Sequence, residues 1–128
     1  MLTHITIGAK DKSASAAFYE AVLGPIGYQK AFEMPQWTGF SCGEGNPPVL
    51  VGTPYEGEAK AGNGLMIGFR ADDRATVDKA HAAGLKAGGT DEGAPGPRPQ
   101  GPPNTYAAYL RDPTGNKIGV FCMVPPEG

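Results

Sequence analysis

The chain repeats itself with an offset of 62 residues, the distance from Asp11 to Asp73. The same shift superimposes Ile7 on Phe69 and Gly27 on Gly89. A unit that occurs twice is expected to fold twice in the same way. The repeat therefore limits the possible architecture more than any other feature of the sequence.

Each unit begins with an apolar stretch that predicts a strand, followed by a residue that can cap a helix. The helix that follows has apolar residues at helical spacing and ends in glycine. The predicted first strands are Leu2 to Ala9 and Leu65 to Ala71. The candidate caps are Asp11 or Ser13 in the first unit and Asp72 or Asp73 in the second, and the helices end near Gly24 and Gly27 and near Gly88 and Gly89.

Three further strands are predicted after each helix, so that each unit has the order β-α-β-β-β. The turn "DPTGN" at 112 to 116 predicts a hairpin between the last two strands, because Pro113 suits a turn and Gly115 can adopt a positive φ. The predicted strands are Tyr28 to Glu33, Gly39 to Cys42, Val49 to Val51, Thr90 to Gly93, Thr105 to Arg111 and Lys117 to Met123.

Composition limits the partners of the chain. A length of 128 residues is typical of one domain, and a formal net charge of -2 does not favour nucleic acid as a ligand. No apolar run approaches the roughly 20 residues that span a bilayer, and no signal segment is recognisable, so we expect a cytoplasmic protein without a membrane partner. Cys42 and Cys122 are widely spaced and are interpreted as reduced core thiols.

The quoted order of elements resembles the vicinal oxygen chelate superfamily, which includes glyoxalases, bleomycin-resistance proteins and extradiol dioxygenases. The resemblance extends from Leu2 to Phe121. The stretches that carry it are "HITIGAKDKSASAAFYEAVLGPIGY", "GLMIGFRA", "RATVDKAHAAGLKAGG", "APGPRP" and "YLRDPTGNKIGVF".

The resemblance implies an α+β fold in which two βαβββ modules in tandem form a curled mixed sheet around a cavity. Residues 1–128 are expected to form a single domain, with module one at about 1–57 and module two at about 62–124. The family's metal ligands lie on the first and fourth strands of each module, so the cavity is the expected site of any chemistry.

This chain retains only one of the four implied metal-ligand positions, His4. The fourth strand of module one, "PVLVG", has no side-chain donor, and Met66 and Gly119 occupy the positions at which the family often has His and Glu. A thioether is a poor ligand for hard divalent metals, and a catalytic zinc site usually needs three protein ligands. We therefore expect no metal and no other cofactor, with His4 acting as a hydrogen-bonding side chain of the cavity or core. His81 is expected to have a structural role.

The remaining site candidates are side chains that can line the cavity. The stretch "EGAPGPRPQGPPNTY" (92 to 106) resembles the family's loop "RPHYHPNYYG", although Gln100 stands where that loop has a histidine. Arg98 can grip a carboxylate or phosphate at two points, or it can form a surface ion pair. Aromatic residues on strands can form either cavity walls or core. The predicted ligand-binding residues are His4, Trp37, Phe40, Met66, Arg98, Gln100, Asn104, Tyr106 and Phe121.

Three functions are compatible with these residues. The first is binding of a small molecule, aromatic or carbonyl-containing, without metal. The second is a metal-dependent lyase, isomerase or dioxygenase of the glyoxalase type, for which no catalytic residue can be named and whose implied ligand set is incomplete here. The third is a non-catalytic interaction subunit. The resemblance also implies a homodimer.

Overall fold

The computed structural model describes residues 1–126 and confirms the tandem βαβββ arrangement. The predicted domain runs to residue 128, and its last two residues lie outside the described part. The first module consists of β1 Ile5–Gly8, α1 Lys12–Leu23, β2 Gln29–Glu33, β3 Trp37–Ser41 and β4 Val49–Gly52. The second module consists of β5 Met66–Arg70, α2 Arg74–Lys86, β6 Thr90–Pro97, β7 Tyr106–Arg111 and β8 Lys117–Cys122.

The two helices begin at equivalent positions of the repeat. Asp11 Oδ1 accepts a hydrogen bond from the Ala14 amide at 3.1 Å, and Asp73 Oδ1 accepts one from the Thr76 amide at 2.7 Å. Each carboxylate satisfies one of the amides left free at a helix start. The structure therefore selects Asp11 over Ser13 and Asp73 over Asp72 as the caps.

The strands form two four-stranded mixed sheets with the orders β1-β4-β3-β2 and β5-β8-β7-β6. In each sheet the first strand pairs in parallel with the fourth, and the other pairs are antiparallel. The predicted bounds differ most for β6, which continues to Pro97 instead of ending near Gly93. Irregular pairing at Gly93 and Gly96 interrupts its ladder with β7, and an interrupted edge strand tolerates the prolines that had indicated a loop.

Each sheet packs one face against the helices, and we call this the helix face and the opposite one the open face. Ile7, Phe40, Val49 and Val51 form the buried helix face of the first sheet, and Phe69, Leu110, Ile118 and Val120 form that of the second. The two helices pack against each other at Gly84, where an added Cβ would lie 2.9 Å from Val22 Cγ2. Cys122 belongs to this core, whereas Cys42 is half-buried at the end of β3, which corrects its assignment as a core thiol.

A buried carboxylate joins the two modules. Asp112, which is 2% exposed, accepts hydrogen bonds from the Tyr19 hydroxyl at 2.7 Å and from Asn116 Nδ2 at 2.9 Å. Its Oδ1 also accepts from three backbone amides of the predicted "DPTGN" turn. The same turn bonds the end of β1, because Asn116 Nδ2 donates to the Gly8 carbonyl and the Lys10 amide donates to Thr114 Oγ1, both at 2.9 Å. Burial and the Asp112 charge raise the pKa of Tyr19.

Among the described residues, neither helix has the length and apolar character required to cross a membrane.

We predict that Tyr19→Phe lowers the free energy of unfolding by about 1.5–3 kcal/mol, because it removes a buried hydrogen bond to a charged acceptor. Asp112→Asn is expected to lower the free energy of unfolding further. The asparagine amide would place its own N–H groups among hydrogen-bond donors that no longer have a carboxylate acceptor. Chemical denaturation measures both effects. Tyr55→Phe is the matched control, because Tyr55 is 98% exposed. A Tyr19→Phe effect no larger than that of the control would contradict the assigned role of Asp112.

Candidate functional site

The open face of module two is built around two aromatic rings. Gly119 of β8 lies between two neighbouring strands. It pairs with Gly68 of β5 on one side and with Tyr109 of β7 on the other. The Phe121 ring lies over both glycines, since a Cβ added at Gly68 would lie 3.0 Å from Phe121 Cε2 and one added at Gly119 would overlap the ring. Phe121 and Tyr109 meet edge to face with centroids 5.7 Å apart. The glycines thus make room for an aromatic pair on the open face.

Two cations lie against the Tyr109 ring. The Arg98 Cζ is 5.3 Å from the ring centroid and the Lys117 Nζ is 5.2 Å from it, distances at which cation–π attraction operates. Neither cation belongs to the ion pairs found within residues 1–126. The neighbouring Arg111 on this face is paired with Glu92. The open face of module two therefore combines aromatic surface with positive charge that no carboxylate within residues 1–126 neutralises.

Arg98 is held by the backbone of its own segment, and its two-point grip on a carboxylate or phosphate stays a prediction. Its guanidinium donates to the carbonyl oxygens of Ala94 at 2.8 Å, Gly96 at 2.9 Å and Pro97 at 3.2 Å. It forms no ion pair with the described residues. A guanidinium has five N–H donors, so these bonds fix the end of β6 and leave donors available to a ligand.

Module one contributes a more apolar open face. Trp37 pairs with Gly52 and is half-buried there, and the Phe32 ring covers Gly39. Alternation along β1 places His4 on the same side as Thr6, and its Nδ1 lies 2.9 Å from Thr3 Oγ1. The His4 ring is exposed. This sheet can therefore supply an aromatic wall and a titratable hydrogen-bonding group.

Five of the nine predicted ligand-binding residues share the open faces. Met66, Arg98 and Phe121 lie on module two, with Met66 paired to Lys117 and 40% exposed. Trp37 and His4 lie on module one.

The structure corrects the prediction that Phe40 and Tyr106 line the ligand site, because both lie on the helix faces. Phe40 pairs with Val49 and is 1% exposed within the core. The Tyr106 hydroxyl donates to Asp78 Oδ1 at 2.7 Å on α2, and this bond raises the pKa of Tyr106. The Arg74 guanidinium covers the Tyr106 ring, with Cζ 4.9 Å from the centroid. Neither side chain is available on the open face.

Gln100 and Asn104 lie in the exposed loop between β6 and β7 rather than on a strand. The loop is held by Thr105 Oγ1, which donates to the Pro102 carbonyl at 2.6 Å, and Asn104 adopts a positive φ of 65°. Asn104 lines a hollow of about 270 Å³ that Arg74 also borders. Arg98 also borders this hollow and lies against the Tyr109 ring, so it connects Asn104 to the aromatic pair, whereas Gln100 does not line the hollow.

Sequence reasoning missed Tyr109 and Lys117, which form the centre of the module-two face. The signal that could have found them is the alternation of Ala108 and Leu110 as core residues, which assigns Tyr109 to the opposite side. His81 was correctly interpreted as structural, since its Nε2 lies 2.9 Å from Asp91 Oδ1 and its side chain is buried against the sheet. That hydrogen bond lowers the pKa of the Asp91 carboxyl.

The donor set on the open faces does not fit a catalytic metal. His4 supplies an imidazole, but Met66 offers a thioether and Gly119 no side chain. Leu50, which faces the same side on β4, has no donor atom either. Within residues 1–126, no group of three or more His, Cys, Asp or Glu side chains is arranged to hold a metal ion.

The whole fold matches solved structures. A glyoxalase/bleomycin resistance protein from Albidiferax ferrireducens T118 has 35% identity and a TM-score of 0.84, covering 95% of this chain and 98% of that one. A lactoylglutathione lyase from Agrobacterium tumefaciens has 28% identity and a TM-score of 0.66, covering 95% and 92%. The fosfomycin resistance protein FosX from Mesorhizobium loti shares the fold at 18% identity and a TM-score of 0.67, covering 95% and 91%. A comparison with curated proteins gave no match.

A family model agrees with the structural likeness over nearly the whole chain. The model describes the Glyoxalase/Bleomycin resistance protein/Dioxygenase superfamily and matches residues 1–120. This match covers both βαβββ modules and the Asp112 turn, and it ends within β8, one residue before Phe121. The chain therefore belongs to the Glyoxalase/Bleomycin resistance protein/Dioxygenase superfamily.

Proposed function

We propose that this protein binds a small planar molecule, aromatic or carbonyl-containing and carrying an anionic group, on its open faces and without a metal. The proposal is supported by the Tyr109 and Phe121 pair, against which Arg98 and Lys117 lie. Neither cation has a carboxylate partner in the part of the chain that the structure describes. Small-molecule sites combine apolar walls with a few placed polar groups, and this surface has both.

Each part of the surface has a separate role in the proposed complex. A planar ligand packs on the exposed side of Phe121 or Tyr109, and an offset or edge-to-face contact adds about 0.5–1.5 kcal/mol beyond the buried area. The free donors of Arg98 and the ammonium of Lys117 bind the anionic or carbonyl oxygen. Trp37 and His4 offer a second wall and a hydrogen bond from module one.

The two alternative functions make different demands on the chain. A glyoxalase-type lyase, isomerase or dioxygenase that uses a metal would have to bind it with His4 as the only conventional side-chain ligand among the four implied positions. The relative from Agrobacterium tumefaciens is named as a lyase, so the experiments below also test the lyase alternative. A non-catalytic interaction subunit would not require a ligand on the open faces.

If the protein binds its ligand without a metal, we expect the purified protein to contain zinc, nickel, manganese and iron only in substoichiometric amounts. The reason is the donor set, because one imidazole with a thioether and a glycine is a weak site for these ions. Elemental analysis of the wild type and of His4→Ala makes the measurement. About one metal ion per chain, lost in His4→Ala, would contradict the prediction and favour the enzyme alternative.

If the open faces bind a planar ligand, we expect at least one aromatic acid, glutathione conjugate or glycopeptide antibiotic to raise the thermal stability of the protein. A ligand at 100 times its Kd adds about 2.7 kcal/mol to the free energy of unfolding. Arg98→Ala is expected to weaken binding of that compound about tenfold or more, because it removes a charge-assisted hydrogen bond.

The matched pair for the aromatic contact is Phe121→Leu and Tyr55→Leu. Phe121 lies on the open face, whereas Tyr55 is 98% exposed in the segment between the modules. Only Phe121→Leu is expected to weaken binding. Circular dichroism of each variant, and of Arg98→Ala, verifies that it is folded. If every compound binds the Arg98 and Phe121 variants as tightly as the wild type, the interaction-subunit alternative replaces the proposal.

We also propose that the protein is a homodimer. The outer strands β2 and β6 each leave one side unpaired, and such edges are usually covered. Phe32 on β2 is 40% exposed and Met34 beside it is 52% exposed, so this edge carries apolar surface that a second copy can bury.

Light scattering after size-exclusion chromatography is expected to give about twice the chain mass of 13.2 kDa at micromolar concentrations. Apolar burial at the edge is the reason, so Phe32→Glu is expected to shift the equilibrium toward the single chain. A mass near 13.2 kDa for the wild type at every concentration would show that the chain is a monomer.

A further inference from the structure

An open cavity of about 540 Å³ lies between the two modules, beside β1 and β5. Ile5 of β1 and Phe69 of β5 line it, and the Tyr28 ring packs edge to face on the Phe69 ring with centroids 6.0 Å apart. We call it the Tyr28 cavity. Its volume falls in the range of about 300–1,000 Å³ that small-molecule sites occupy. Arg98 and Lys117 of the open-face proposal do not belong to its lining.

The repeat indicates why the two modules leave a space here. The β7–β8 turn reaches across to module one through Asp112 and Asn116. Its counterpart in module one is the β3–β4 turn at 42–46, which also follows its strand directly and also ends in asparagine. Cys42 stands in the position of Asp112, and Asn46 Nδ2 donates to the Cys42 carbonyl of its own turn at 2.8 Å. Within residues 1–126 no hydrogen bond joins this turn to module two, so this end of the junction is left open.

The walls of the Tyr28 cavity are mainly apolar. Six half-buried hydrophobic residues in the described part of the chain pack against the core, and four of them line this cavity: Ile5, Ile26, Tyr28 and Ile67. Leu2 also lines it and is 66% exposed. Apolar surface of the core that the chain leaves uncovered is thus concentrated here. A molecule with an apolar body would remove this surface from water, which is favourable.

The polar part of the lining favours an uncharged ligand. Arg70 and Asp72 are the charged residues of the described lining, and their charges cancel. The Tyr28 hydroxyl lies 3.5 Å from the Pro47 carbonyl, longer than the roughly 2.5–3.0 Å of a good O–H···O hydrogen bond. Burial and the neighbouring Cys42 raise the pKa of Tyr28, so the hydroxyl keeps its proton. That proton is therefore available to an oxygen of the ligand.

We propose that the Tyr28 cavity binds a small uncharged molecule with an apolar body and one hydrogen-bonding oxygen, such as a medium-chain alcohol or ketone. The apolar body packs on Ile5, Ile26 and Ile67, and the Tyr28 hydroxyl donates to the oxygen. The inference goes beyond the open-face site and does not rest on the proposed function, because the two sites use different residues.

Isothermal titration of the full chain with hexan-1-ol tests the proposal, with hexanoate as an anionic ligand of the same chain length. Saturable binding of the alcohol is expected. It should be about fivefold tighter than that of hexanoate or more, because an anion would lose its hydration in a lining without net positive charge.

The thiol of Cys42 reports where the alcohol lies. Cys42 lines the cavity and is half-buried, whereas Cys122 is fully buried, so iodoacetamide is expected to alkylate Cys42 first. Saturating hexan-1-ol is expected to slow this alkylation about threefold or more, because an occupied cavity shields the sulfur from the reagent.

Tyr28→Phe is expected to weaken binding of hexan-1-ol about threefold or more, since it removes the hydrogen bond to the ligand and keeps the ring that packs on Phe69. Tyr55→Phe is the matched control, because Tyr55 is 98% exposed and lies outside the cavity lining. Arg98→Ala is expected to bind hexan-1-ol like the wild type, so the outcome is independent of the open-face experiment.

Absence of saturable binding of hexan-1-ol would overturn the proposal, and so would tighter binding of hexanoate. Binding that leaves the alkylation rate of Cys42 unchanged would place the alcohol elsewhere and would also overturn it. Equal affinities of Tyr28→Phe and Tyr55→Phe would do the same, because the assigned hydrogen bond would then be absent.

Discussion

The buried Asp112 carboxylate is the interaction on which the arrangement of the two modules depends. A charge removed from water is costly unless donors surround it, and here a tyrosine hydroxyl, an asparagine amide and three backbone amides do so. Tyr19 comes from module one, whereas the turn that contains Asp112 comes from module two. The polar network therefore requires α1 and the β7–β8 turn to remain in contact. The end of β1 is fixed to the same turn through Gly8 and Asn116.

In this arrangement of the modules, β1 and β5 do not pair with each other. Among the described residues, β1 pairs only with β4 and β5 only with β8, so side chains line the seam between the modules and no backbone ladder closes it. The helices meet on one side of the seam at Gly84, where small size permits their close approach. The open faces are left on the other side. The position of the aromatic surface follows from this arrangement.

The repeat allowed the fold to be predicted because its signals are local. The helix caps Asp11 and Asp73 occupy equivalent positions, and strands and helices follow in the predicted order in both modules. Phe40 and Tyr106 were predicted to line the cavity, but they lie on the helix faces. Local sequence patterns could not show this. Adjacent strand residues point to opposite faces, so placing an aromatic requires the register of its strand, and pairing with a distant strand sets that register.

The loop between β6 and β7 was harder to predict than the strands for a related reason. Irregular pairing at Gly93 and Gly96 lets β6 continue through prolines that normally indicate a loop. Arg98 then turns back to bond the carbonyls of its own segment, a contact that depends on the backbone path and not on residue type. Its position over Tyr109 could not be inferred from composition or spacing.

The lack of a side chain at Gly119 is linked to the packing around it. Gly119 stands where the resemblance implies a glutamate, and the Phe121 ring occupies the space that a side chain there would need. Tyr109 also approaches this position, 3.2 Å from the ideal Cβ. Restoring a carboxylate would therefore displace the aromatic pair. The surface that supports the proposed binding and the lack of a carboxylate at this position have the same structural origin.

In the proposed complex, the ligand binds to this aromatic and cationic surface without a metal. A crystal structure of the protein with the tightest-binding compound from the thermal screen would show where the ligand lies. We expect a planar group against Phe121 or Tyr109 and a ligand oxygen within hydrogen-bond distance of Arg98 or Lys117, with no metal between ligand and protein. A ligand bound on a helix face or confined to the loop around Asn104, or one coordinated through a metal at His4, would contradict it.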